Sequence, residues 1–181
     1  MSDVSQRLSA LVGGFDARVQ AAPADSWTNP APCEGWTARD VVLHVGNNLL
    51  SIGGALQGTE LAPIADDEDA PSGWGRARDA ITAGLATGDL SQNLPGPMGP
   101  MPAEQLLGQF VSMDVLVHTW DLARAVGGDE SLPAEVCAQA HSGLKPMDAM
   151  IRRPGVFGPK VDCADDADEQ TKFLSFLGRT V

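Results

Sequence analysis

Asp114, His118 and Asp121 stand in the run FVSMDVLVHTWDLARAVG, Phe110 to Gly127. At about 100° per residue of helix, the three fall within about 60° of one another. Leu107 and Phe110 lie within about 40° of Asp114, with Val111, Val117 and Leu122 flanking them. Gln105, Gln109, Ser112 and Thr119 take the opposite side. A carboxylate and an imidazole therefore occupy the middle of a face that should be buried. Leaving such groups unpaired there costs several kcal/mol, and an isolated charge far more. Asp114 and His118, four apart, project from adjacent turns toward a common point, so they suit either a shared metal ion or a buried ion pair. Asp121 can hold the second ring nitrogen of His118 and set its tautomer, or it can pair with Arg124 on its own helix.

A metal held by two groups on one helix needs a third ligand from a facing helix, as bundles supply. His44 is the candidate. It lies with Asp40, Asn47, Asn48 and Ser51 on one polar stripe of an otherwise apolar helix, which is either plain solvent face or the wall of a wet cleft. Cys137 and His141 are also four apart, but no third group orients the histidine, and cysteine commonly serves as a small core residue. Cys33, in a turn flanked by tryptophans, reads as packing. No glycine-rich phosphate loop, zinc ribbon or nucleophile elbow is present.

The elements that must position these residues are helical. Hydrophobic periodicity predicts helices over 2–21, 37–56, 72–87, 103–126, 133–149 and 169–177, with the third weaker than its neighbours. Thr37 with Asp40 forms a capping-box-like start to the second. Between the first two helices the proline-rich WTNPAPCEGW, Trp27 to Trp36, cannot be helical and is pinned by its tryptophans. Ahead of the motif helix, LPGPMGPMP, Leu94 to Pro102, carries four prolines and two glycines and reads as an irregular rim running past Met98 and Met101. RRPGVFGPKVDCADDAD reads as irregular as well. The fold class is all-α: a single domain over 1–181 in which 2–21, 37–56, 103–126 and 133–149 form a four-helix bundle, with an additional short helix and a C-terminal tail.

The chain carries 24 acidic against 12 basic residues, a formal charge of −12. Such a balance repels nucleic acid and acidic lipid surfaces. No apolar run reaches the length of a membrane span, and no signal peptide is visible. Three cysteines without CxxC spacing point to reduced thiols and a cytoplasmic protein, either monomer or homodimer.

PCEGWTARDVVLHV, Pro32 to Val45, and DVLVHTWDLARAVG, Asp114 to Gly127, resemble the paired signatures of actinobacterial DinB-like metal-binding proteins related to the mycothiol-dependent maleylpyruvate isomerases. The tail from Val156 to Arg179 is similar to the end of the same group. The resemblance implies a DinB-type four-helix bundle holding one divalent metal, usually zinc and alternatively nickel. On the matching positions it implies His44, Asp114 and His118 as ligands. Many relatives carry glutamate at the position of Asp114, an arm one methylene longer. The resemblance further implies a low-molecular-weight thiol, mycothiol, as cosubstrate. Two histidines and one carboxylate leave a position open on zinc, where a thiol is readily deprotonated for attack on a small electrophile. Reversible addition gives an isomerase and irreversible addition an S-transferase. Asn47, Asn48 and Met101 are the candidate substrate- or thiol-binding residues. A non-catalytic metal module and a metal-dependent hydrolase are the alternatives.

Overall fold

The computed structural model describes residues 2–97, 99–152 and 157–181, and it divides into two compact units, 1–130 and 131–181. The first unit holds α1 (Asp3–Ala21), α2 (Ala38–Leu56), α3 (Ala70–Thr87), a hairpin of β1 (Asn93–Gly96) and β2 (Gly99–Pro102), α4 (Ala103–Leu106) and α5 (Ser112–Val126). The second holds α6 (Ala134–Leu144), α7 (Asp148–Ile151) and α8 (Glu169–Phe176). The described structure is mostly helical and consistent with a DinB-like bundle. No helix among the described residues is long and apolar enough to cross a membrane.

The bundle consists of α1, α2, α3 and α5, with α1 against α3 and α5, and α2 against α3 and α5. This corrects the expected membership, because α3 fills the place assigned to 133–149. Hydrophobic periodicity undervalues α3, whose contact with α2 is made by small residues. A Cβ on Gly53 would lie 2.6 Å from the backbone of Ala80, and one on Gly84 would lie 3.1 Å from the Gly53 carbonyl oxygen. The missing side chains let the two backbones approach. Leu8, Phe15, Leu49, Trp74, Ile81 and Leu116 fill the interior. Phe15 and Trp74 meet at a centroid distance of 4.5 Å, and the indole N–H donates to Asp16 Oδ1 at 2.8 Å.

Sequence capping is realised at α2, where Thr37 Oγ1 accepts from the Asp40 N–H and Asp40 Oδ2 accepts from the Thr37 N–H at 2.8 Å. α5 ends at Gly127, whose φ of 68° suits the left-handed cap.

Two expectations about the motif region are corrected. LPGPMGPMP is not irregular, since its described residues other than Pro97 belong to the two strands of the hairpin; Met98 lies outside the described residues. Pro95, Pro100 and Pro102 all fall on the alternate pairs Asn93–Pro102 and Pro95–Pro100. The pairs Leu94–Met101 and Gly96–Gly99 keep their N–H groups, and the ladder continues into Ala103 N–H donating to the Gln92 carbonyl at 2.8 Å. Proline is tolerated because no ladder bond needs its missing donor.

The helix after it is also not uniform. Leu107–Val111 is a π-helical turn between α4 and α5, and Ser112 donates both its N–H and its hydroxyl to the Leu107 carbonyl, the latter at 2.8 Å. Ser112 and Thr119, facing away from Asp114, are buried, and the Thr119 hydroxyl donates to the Val115 carbonyl at 2.7 Å.

In the second unit α6 packs on α8. The expected fifth helix breaks after Leu144 into a 3₁₀ turn at Lys145–Met147 and the short α7, because Pro146 lacks the donor an α-turn needs there. Residues 157–168 form no helix or strand, as expected of the tail, whereas 153–156 lie outside the described residues.

Candidate metal centre

The connector between α1 and α2 is folded tightly onto the bundle. Asn29 donates to the Ala125 carbonyl at 3.0 Å, and Ala38 and Arg39 N–H donate back to the carbonyls of Asn29 and Trp27. Within it, Ala31 N–H donates to the Trp36 carbonyl and Trp36 N–H to the Cys33 carbonyl at 3.0 Å. Gly35, at φ 77°, makes this turn possible. The turn delivers Cys33 and Trp36 to the face of α5 that carries His118.

There α2 and α5 bring His44, Asp114 and His118 together. Asp114 Oδ1 lies 3.2 Å from His44 Nε2 and 3.4 Å from His118 Nε2. The imidazoles meet edge to face at 4.8 Å, and Trp36 lies over both, 5.0 Å from His44 and stacked at 5.7 Å on His118. Asn48 Nδ2 donates to Asp114 Oδ2 at 3.3 Å, which holds the carboxylate by the oxygen the histidines do not use. His118 is buried, whereas the side chains of His44 and Asp114 are 34% and 26% exposed, so the centre opens on that side.

Burial works against charge on both Asp114 and His118, but their mutual hydrogen bonding prevails. Asp114 is held well below the usual carboxylate range by hydrogen bonds from His118 and His44, and His118 well above the usual imidazole range by Asp114, Asp121 and Cys33.

Asp121 is fully buried behind His118 and accepts from Nδ1 at 2.9 Å. Arg124 instead reaches Glu130 at 2.7 Å and lies over the Trp120 ring, which decides between the two partners open to Asp121. Cys33 is the residue sequence reasoning missed: its thiol donates to Asp121 Oδ2 at 3.4 Å and lies 4.0 Å from His118 Nδ1. Its only sequence signal was its place in PCEGW, beside a tryptophan that itself covers the histidines.

The polar stripe of α2 divides by task. Asp40 caps its own helix. Asn47 Oδ1 accepts from the Ile64 N–H at 2.7 Å and so pins the loop after α2, whereas His44 and Asn48 face Asp114. Met101 is buried in the hairpin opposite Leu94. Of the three candidate binding residues, Asn48 is the one whose side chain touches the histidine–carboxylate cluster.

Among the described residues two groups of donor atoms could thus hold a cation, His44/Asp114/His118 and Cys33/His118/Asp121, with atoms in each within 4.8 Å of one another. Tetrahedral zinc, at about 2.0–2.2 Å from nitrogen and carboxylate oxygen, sets such donors about 3.3 Å apart. The 3.2 and 3.4 Å separations around Asp114 fit it, so the aspartate arm reaches without the extra methylene of glutamate.

Fold and donor set together define a helical-bundle protein with a candidate metal centre. The chain belongs to the family described as Mycothiol maleylpyruvate isomerase N-terminal domain, which matches residues 8–123 and so spans every residue of the cluster. It is also similar to two uncharacterized proteins of Mycobacterium tuberculosis, Rv0738 of strain H37Rv and MT0763 of strain CDC 1551 / Oshkosh. Each is 30% identical over 175 residues, covering 92% of this chain and 92% of the relative. No solved structure matches the chain.

Proposed function

We propose that His44, Asp114 and His118 hold one divalent cation, zinc by preference and nickel as the alternative. We propose further that the protein is a thiol-dependent transferase or isomerase acting on a small electrophile, with mycothiol as the thiol. The observation that supports the metal reading is the pair of donor separations at Asp114 Oδ1, which match two edges of a tetrahedral zinc shell. Zinc in such a shell supplies a Lewis acid that favours the deprotonated form of a thiol at neutral pH.

The residues divide the remaining work. Asp121 accepts a hydrogen bond from the Nδ1–H of His118 and so directs Nε2 toward Asp114. Asn48 holds the second oxygen of Asp114 and, being exposed, is available to a bound molecule at the open side. Trp36 packs against both rings and is stacked on that of His118. The thiol adds to, or displaces a group from, the electrophile; a reversible addition isomerises it and an irreversible one conjugates it.

The test is turnover of a panel of electrophiles by metal-loaded protein with and without mycothiol. Conversion only with the thiol supports the reading. Thiol-independent hydrolysis assigns the centre to a hydrolase instead, and inertness toward both assigns it to a metal-carrying module.

A further inference from the structure

His118 has two nitrogens, and each faces its own pair of donors. Nε2 looks toward Asp114 and His44, while Nδ1 looks toward Asp121 Oδ2 at 2.9 Å and Cys33 Sγ at 4.0 Å. Cys33 Sγ and Asp121 Oδ2 are 3.4 Å apart. Three different donor types, a thiol, an imidazole and a carboxylate, thus converge on one point from two separate segments of the chain. Asp121 is fully buried and Cys33 is half-buried, so the sulfur is the side from which an ion can enter.

We infer that Cys33, His118 and Asp121 form a second cation seat, selective for soft, thiophilic ions such as Cd²⁺ or Cu⁺. Soft thiolate sulfur is what separates this donor set from the harder nitrogen–oxygen set around Asp114. Around a tetrahedral ion of zinc's size, with one sulfur at about 2.3 Å, the donor atoms stand about 3.3–3.6 Å apart. The sulfur–oxygen distance already matches; the nitrogen–oxygen pair opens and the sulfur–nitrogen pair closes, each by about half an ångström. Binding releases the thiol proton of Cys33 and the Nδ1 proton of His118 to solvent. A neutral imidazole offers one lone pair at a time, so the two seats exclude each other through His118. A soft ion on the Cys33 side turns the ring's free electron pair away from Asp114. That exclusion rests on the function proposed above, whereas the soft seat itself does not.

The seat is tested with the full chain carrying Cys163→Ser, which removes the exposed thiol, titrated with Cd²⁺ and followed by the ultraviolet thiolate-to-cadmium charge-transfer band. The band should saturate at about one equivalent per chain. It should vanish in Cys33→Ser, weaken about 10–100-fold in affinity in Asp121→Asn, and survive in His44→Ala. A band that persists in Cys33→Ser, or that is lost in His44→Ala while the helical circular dichroism is intact, overturns the seat. A second measurement needs no variant: Cd²⁺ should protect Cys33 of the native chain from iodoacetamide, read by peptide mass. Undiminished alkylation of Cys33 under saturating Cd²⁺ equally overturns it. Failure of the Asp114 centre reads differently, as loss of zinc binding with the cadmium band unchanged.

Discussion

Two cysteine–histidine pairs invite comparison, and among the described residues the one that is distant in sequence forms a polar cluster. Cys137 and His141 are a helical turn apart, yet the His141 ring lies 5.0 Å from Phe176, and burial, with the charges of Asp168 and Glu169, pushes the Cys137 thiol up to about 11. Cys33 and His118 are 85 positions apart and meet at 4.0 Å over a buried aspartate. Spacing of i and i+4 guarantees only that two side chains share a helix face. Whether they do chemistry depends on what that face meets, and here one face meets an aromatic ring while the other meets a carboxylate pair and a folded-back turn.

The sharpest way to break the comparison is to remove each histidine. His118→Ala should lose most of the bound zinc, a fall in affinity beyond about 100-fold, since two first ligands cannot close the shell. His141→Ala should leave affinity unchanged. Competition with a chelator measures both, and equal losses would erase the distinction between the pairs.

The thiols give the next largest contrast. With an ordinary thiol value of 9.0 raised to about 11, Cys137 is ionised to only about one part in a thousand at pH 8. Its alkylation should be about 100-fold slower than that of a small-molecule thiol of ordinary value, as read by peptide mass. The same shift gives a pH dependence of stability. Below pH 9 the thiol is neutral in both states, and as pH rises from about 9 to 11 the unfolded chain ionises first, so Tm should fall across that window. Cys137→Ala should lessen that part of the fall.

Asp121→Asn should keep the fold and weaken zinc binding by about 10–100-fold, because it removes the acceptor that orients His118. Asp114→Asn should be more damaging. The reverse ranking in a chelator titration would make the Asp121 side the principal seat. The smallest effect is expected for Asp114→Glu, which lengthens the carboxylate arm by one methylene. Zinc affinity should stay within about tenfold, since one methylene is accommodated at a partly exposed side chain.

The helical frame was legible because each long helix announces itself by local means. Thr37 with Asp40 marks a start, Gly127 an end, and Leu8, Leu11, Phe15 and Val19 a buried stripe. The histidine–carboxylate set was legible because charged groups in the middle of an apolar face demand partners. The rest depended on distance in space. Beyond its place in PCEGW, Cys33 has nothing on its own segment to betray its neighbours, since its turn must first fold against α5. α3 was undervalued because Gly84 and Ala77 contribute closeness rather than hydrophobic mass. The hairpin was hidden because proline counts as a breaker until the register shows which N–H groups the ladder omits.

The π-turn at Leu107–Val111 carries a further consequence. Such a turn holds one residue more than an α-turn, and each residue advances a helix by about 100° and 1.5 Å. Deleting a single residue there would let the chain run straight from Ala103 to Val126, and α4, which directly precedes the turn, would swing through roughly that angle relative to His118. The hairpin is tied to this helix start by Ala103 and Glu104 N–H donating to the carbonyls of Gln92 and Leu90, so it would swing too. The angular position of the hairpin about the helix axis is therefore written in chain length rather than in side-chain identity. Insertion or loss of one residue between Leu107 and Val111 is a rotary adjustment that leaves the histidine and its carboxylates untouched.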